Sequence, residues 1–168
     1  MECMIRDEAA MEHDVSGPPQ KSDAALRRPE SLQDFAGVWR LERRIEDQRA
    51  GQVAHATGQA MLSAEGAGLI YEETVLLHLP GQAPLEGRRR YLWRAAARGI
   101  AVLFDDGRDF HVIPLGNGAP EAAHWCDPDQ YDVRYDFSAW PQWSSVWDVC
   151  GPRKDYRMET GYERLPEA

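Results

Sequence analysis

Phe35-Ala36-Gly37-Val38-Trp39, at the start of the patterned region, and Tyr162-Glu163-Arg164, just before the C-terminus, bracket the stretch that decides the fold. Between them apolar and polar residues alternate with a period of two rather than 3.6, which is the period of a strand with one buried face. In Gln130-Tyr131-Asp132-Val133-Arg134-Tyr135-Asp136-Phe137, one side is Tyr131, Val133, Tyr135 and Phe137, and the other is polar or charged. By the same rule Trp39, Leu41 and Ile45 share a face, as do Tyr91 with Trp93, and Tyr156 with Met158 and Tyr162.

The pattern predicts ten strands, at about 37–46, 52–62, 68–79, 86–97, 100–105, 109–115, 121–126, 130–138, 143–150 and 154–164. Turn chemistry separates them: Ala64-Glu65-Gly66, Pro80-Gly81, Asp105-Asp106-Gly107, Gly116-Asn117-Gly118, Asp127-Pro128-Asp129 and Gly151-Pro152. Links this short join antiparallel neighbours, and none has room for the crossover helix of a parallel pair. The expected fold is therefore all-β, an up-and-down meander of about eight to ten strands closed into a barrel, which removes the sheet's edges. Ser31, with Asp34 three residues on, is expected to cap a short helical turn leading into the first strand. Residues 1–30 carry Gly17-Pro18-Pro19 and scattered charge without periodicity and read as a loose tail, with one barrel domain over 31–166.

At 168 residues with 43% hydrophobic content the chain can bury a sizeable core. A formal net charge of −9 argues against a nucleic-acid partner, whose backbone is bound by clustered Lys and Arg. The basic cluster Arg88-Arg89-Arg90 is too small for an anionic membrane, and no run of residues matches a membrane span. Cys3, Cys126 and Cys150 form no even framework, and acidic residues interrupt the N-terminus where a signal peptide needs an apolar run. A cytoplasmic protein, monomer or homodimer, with buried and inert thiols at Cys126 and Cys150 is expected.

The Gly-x-Trp of Phe35–Trp39 resembles the signature of the calycin superfamily of lipocalins, fatty-acid-binding proteins and nitrobindin-like barrels, and Arg164 looks like the arginine those families pack across that tryptophan. The resemblance implies a structural latch of Gly37, Trp39 and Arg164 that closes the barrel base. His124-Trp125-Cys126-x-x-Asp129-x-Tyr131 and Gly151-Pro152-Arg153-Lys154-Asp155-Tyr156 are similar to an uncharacterised bacterial family of small lipocalin-like proteins. That likeness covers residues 34–165 and implies no activity. The cysteine pairs of secreted lipocalins and the two-helix lid of fatty-acid-binding proteins have no counterpart here.

Six Trp, six Tyr and four Phe exceed what a small core needs, so part of this set is expected to line a cavity for a mostly apolar, possibly anionic small molecule. Candidate ligand contacts are Arg90, Tyr91, Trp93, Tyr131, Tyr135, Tyr156 and Glu73, with Arg88, Arg94 and Arg134 as other arginines able to hold a carboxylate or phosphate. Of Glu72 and Glu73 only one can point inward, where burial would raise its pKa. Candidate catalytic residues are His111, His124 and Asp109, since Asp109-Phe110-His111 and His124-Trp125-Cys126 each offer an imidazole with a polar partner two residues away. These serve a cofactor-free isomerase, cyclase or hydrolase as the alternative to a binding protein, and one histidine serves haem as a third. No metal site is expected: His-x-Cys is not a zinc spacing, and the aspartate pairs fit turns better than calcium loops. No cofactor follows from the sequence.

Overall fold

A computed structural model describes residues 28–116 and 120–166. The expected tail therefore lies, up to residue 27, outside the described residues, as do Cys3 and Asn117-Gly118. After a 3-10 turn over Leu32–Phe35 come β1 (Gly37–Asp47), β2 (Gln52–Glu65), β3 (Gly68–His78), β4 (Leu85–Ala96) and β5 (Gly99–Phe104), then β6 (Asp109–Pro114), β7 (Glu121–Cys126), β8 (Asp129–Asp136), β9 (Trp143–Cys150) and β10 (Asp155–Arg164). The alternation of apolar and polar residues thus places each strand to within a few residues.

All ten strands form one antiparallel sheet in the order β6-β5-β4-β3-β2-β1-β10-β9-β8-β7. The last strand lies beside the first, with Trp39 opposite Arg164 and Leu41 opposite Tyr162. The two ends of the sheet are β6 and β7, in the middle of the chain, so the barrel is nearly closed and its seam runs between them.

One end of the barrel is plugged. Phe35, completely buried, fills it, with ring centroids 5.4 Å from Trp93, 5.5 Å from Phe137, 5.0 Å from Trp140 and 5.8 Å from Trp143. The Trp39 indole donates its Nε1 hydrogen bond to the Phe35 carbonyl at 2.9 Å. The Arg164 guanidinium stacks 4.3 Å from the Trp39 ring centroid and donates to the Ala36 carbonyl at 2.6 Å and to the Asp34 carbonyl. It is thus a cation on an indole face that also satisfies the carbonyls left over at the end of the turn. Gly37 has φ of +129°, and a Cβ there would sit 2.9 Å from Arg164 Nη1. Only glycine gives both the dihedral and the room.

The barrel's curvature is set partly by β2, whose inward face is Ala54, Ala56, Gly58 and Ala60. A Cβ on Gly58 would fall 2.1 Å from the Thr74 carbonyl oxygen and 2.7 Å from Val75 Cα, so β2 bends hard onto β3 at this point. The small residues also leave space above β2 for longer side chains from β1 and β3.

Gly37→Ala should cost about 2–4 kcal/mol, from backbone strain together with displacement of Arg164. Urea unfolding followed by tryptophan fluorescence checks this, and in an Arg164→Ala background the cost should shrink to the strain alone, about 1–3 kcal/mol.

Candidate functional site

Above the plug, a buried polar network crosses the lumen. Arg43 of β1 reaches over the small residues of β2 to Glu73 of β3 and makes a two-pronged ion pair, Nη1–Oε1 2.7 Å and Nη2–Oε2 2.8 Å. Both side chains are almost wholly buried, at 4% and 2% exposure. Arg43 Nε donates to Thr160 Oγ1 at 2.9 Å, and the Tyr71 hydroxyl donates to Glu73 Oε2 at 2.6 Å and lies 3.4 Å from the Tyr162 hydroxyl. Burial alone would raise the Glu73 carboxyl, but the hydrogen bonds and charge of Arg43, helped by Arg89 and Tyr71, hold it below the usual carboxylate range. This corrects the expectation of an inward glutamate with a raised pKa. Glu73 is a permanent anion and not a poised acid.

Between this network and the open end lies a cavity of about 240 Å³ lined by Arg89, Tyr91, Phe104, Phe110, Cys126, Tyr131, Trp147, Val149, Tyr156 and Met158. The aromatic walls come from six strands, β4, β5, β6, β8, β9 and β10. Phe110 lies nearly parallel to Tyr91 (5.7 Å, 18°), to Trp147 (5.4 Å, 15°) and to Phe104 (4.6 Å, 29°). Arg89 is the cation of this space. Its Nε is 3.6 Å from Glu73 Oε1, an ion pair without a hydrogen bond, and its side chain is 41% exposed. At the rim Lys154 pairs with Asp129 at 2.7 Å and donates to the Tyr131 hydroxyl at 2.7 Å. Burial raises the phenol pKa of Tyr91 and Tyr156, so both keep their protons at neutral pH and can donate.

Of the sequence-derived contacts, Tyr91, Tyr131 and Tyr156 line the cavity. Trp93 belongs to the plug, Tyr135 is buried beside His111, and Glu73 does not line the cavity but ion-pairs with its Arg89. Arg90 is a correction. It faces out, pairing with Asp105 and, at 3.6 Å, with Glu72. Arg88, Arg94 and Arg134 likewise point outward, to Glu86, Glu65 and Asp148. The inward arginine is Arg89, one residue away, and its parity with Tyr91 and Trp93 was the signal for it.

The histidine constellation is also rearranged. Val102 pairs with His111 and Leu103 with Asp109, which leaves Phe110 as an extra residue in β6. This bulge breaks the two-residue period. Phe110 and His111 both turn inward, and Asp109 is exposed, so it is not the partner of His111. His111 and His124 face each other across the seam with the Phe110 ring between them, edge-on to both at 4.6 Å and 5.1 Å. His111 Nε2 is 2.7 Å from the Tyr135 hydroxyl, and its Nδ1 has no hydrogen-bond partner among the described residues. Burial, with a smaller contribution from His124, pushes the His111 pKa down to about 3. Cys126 and Cys150 are free and exposed, not buried as their place on strands suggested, because both sit at the rim. Among the described residues no group of three His, Cys, Asp or Glu could hold a metal ion.

The sequence profile of one protein family, described as a family of unknown function (DUF6314), matches residues 35–164. The chain belongs to the DUF6314 family. The match runs from the plug residue Phe35 to the latch residue Arg164, so the family's defining region is the barrel itself. No curated protein matches the chain. Among solved structures the barrel is similar to the S-type phycobiliprotein lyase CPES from Guillardia theta, with a TM-score of 0.54 and 10% identity over 82% of this chain and 92% of that one. At that identity the likeness establishes the shared barrel.

His111 binds protons more readily unfolded than folded, so its contribution to stability is intact above pH 6.5 and declines as pH falls toward the folded value. Between pH 7 and pH 5 this amounts to about 2 kcal/mol. Urea midpoints measured at the two pH values should show this loss in the wild type and little of it in His111→Gln.

Proposed function

We propose that this protein binds a small molecule, mostly apolar with an anionic head group, in the aromatic cavity above the Arg43–Glu73 pair. The observation that carries the reading is Arg89, a guanidinium that donates no hydrogen bond to any described residue, at a cavity whose other lining residues are aromatic or aliphatic apart from Cys126. A guanidinium with no hydrogen-bond acceptor from the protein, set beside aromatic walls, favours an anion in reach of it. The volume of about 240 Å³ lies just under the roughly 300–1,000 Å³ of ordinary ligand pockets, which suits a compact ligand and is too small to enclose a haem macrocycle. We place the protein in the cytoplasm as a monomer or homodimer, consistent with free thiols at Cys126 and Cys150.

A cofactor-free enzyme built on His111 has less support. An imidazole with a pKa near 3 is neutral throughout the physiological range and a weak base, and its Nε2 is already engaged by Tyr135. Phe110 stands between it and His124.

Titration with 8-anilinonaphthalene-1-sulfonate should give a saturable rise in the probe's emission with one site per chain. Val149→Trp, which fills the cavity, should abolish that rise while the far-UV circular dichroism stays that of the folded protein. A non-saturable signal, or one unchanged by Val149→Trp, contradicts the reading.

A further inference from the structure

We propose that the ligand is a planar aromatic monoanion, an arylcarboxylate of one or two fused rings, held by Arg89 at its carboxylate and by the rings of Phe110 and Trp147 at its face. The proposal rests on the binding reading above and narrows it to a chemical class.

The lumen holds the cations Arg43 and Arg89 and the anion Glu73, while Lys154 and Asp129 neutralise each other at the rim. One positive charge remains. Both Glu73 oxygens are already taken, Oε1 by Arg43 and Oε2 by Arg43 and Tyr71, so Glu73 has little left with which to accept from Arg89. A single negative charge balances the lumen; a dianion would bring a second charge with no cation of the cavity opposite it, and a neutral ligand would make no charge-assisted bond to the guanidinium.

Arg89 offers its fork of N–H groups, whose flat geometry matches a carboxylate. The hydroxyls of Tyr91 and Tyr156 line the same cavity, and neither hydrogen-bonds to a described residue. Together they can satisfy the lone pairs that a carboxylate brings with it.

The shape of the walls selects the body. Phe110 and Trp147 lie within 15° of parallel, so these two ring faces share one orientation, while Tyr131 stands at 82° to Phe110. A flat ligand joins these as a further offset layer in a single pose. A flexible alkyl chain meets the same faces without a preferred orientation and loses its rotamer freedom on binding.

The test is isothermal titration of the full chain with four probes: 2-naphthoate, its neutral relative 2-naphthamide, 2,6-naphthalenedicarboxylate and decanoate. 2-Naphthoate should bind at one site per chain, at least tenfold tighter than each of the others. Arg89→Met should weaken it by about 10- to 100-fold, the loss of a charge-assisted hydrogen-bonded contact. Arg89→Lys should restore part of that loss, and the outward Arg90→Met should change nothing, with circular dichroism confirming that each variant is folded. Decanoate binding as tightly as 2-naphthoate, still dependent on Arg89, overturns the aromatic class and leaves the binding reading standing. Equal affinity for 2-naphthamide overturns the argument from charge. If none of the four binds while 8-anilinonaphthalene-1-sulfonate does so with Val149 dependence, the class is wrong; if that probe fails too, the binding reading falls with it.

Discussion

The two-pronged ion pair between Arg43 and Glu73 is the constraint on which the interior depends. It joins β1 to β3 over the top of β2, and it exists only because β2 presents alanine and glycine to the lumen. Such a pair contributes little net stability against an apolar replacement, but breaking it by removing one partner costs several kcal/mol, because a charge is left buried alone. Its value here is positional. With Thr160, Tyr71 and Tyr162 it forms a hydrogen-bonded layer across the barrel, the aromatic plug on one side and the cavity on the other.

That layer also explains why Arg89 differs from the other arginines of its cluster. Arg88 and Arg90 point to solvent and find carboxylates there. Arg89 points inward to a glutamate whose oxygens are already hydrogen-bonded, so its own donors face the cavity. The latch at the other end serves a different purpose, holding the 3-10 turn and its Phe35 in the barrel base through Trp39 and Arg164. The nearly closed barrel thus has one firmly sealed end and one open end, and its unpaired strand edges are brought together along the β6–β7 seam. There aromatic and imidazole side chains take the place of backbone pairing.

Most of the fold was legible because a barrel strand shows its inside and outside directly in the sequence, two residues at a time. The turns, the meeting of first and last strands and the contact of Trp39 with Arg164 all follow from that regularity and the resemblance it supports. What escaped reading has two physical causes. The first is parity: a run of three arginines hides which one is inside, and Arg89 becomes visible only by extending the Tyr91–Trp93 face backward. The same extension from Trp39 and Leu41 would have reached Arg43, whose charge argued against an interior position until the small residues of β2 were considered. The second cause is the bulge at Phe110, which resets the alternation in β6 and separates Asp109 from His111. No local residue pattern announces it.

The most direct test of this arrangement is hydrogen exchange at the arginine side-chain Nε–H groups, followed by NMR and assigned with Arg43→Lys and Arg89→Lys. The account requires a slowly exchanging Arg43 Nε–H, buried and bonded to Thr160, beside a rapidly exchanging Arg89 Nε–H that becomes protected when an anion enters the cavity. A rapidly exchanging Arg43, or an Arg89 already protected in the free protein, would contradict it.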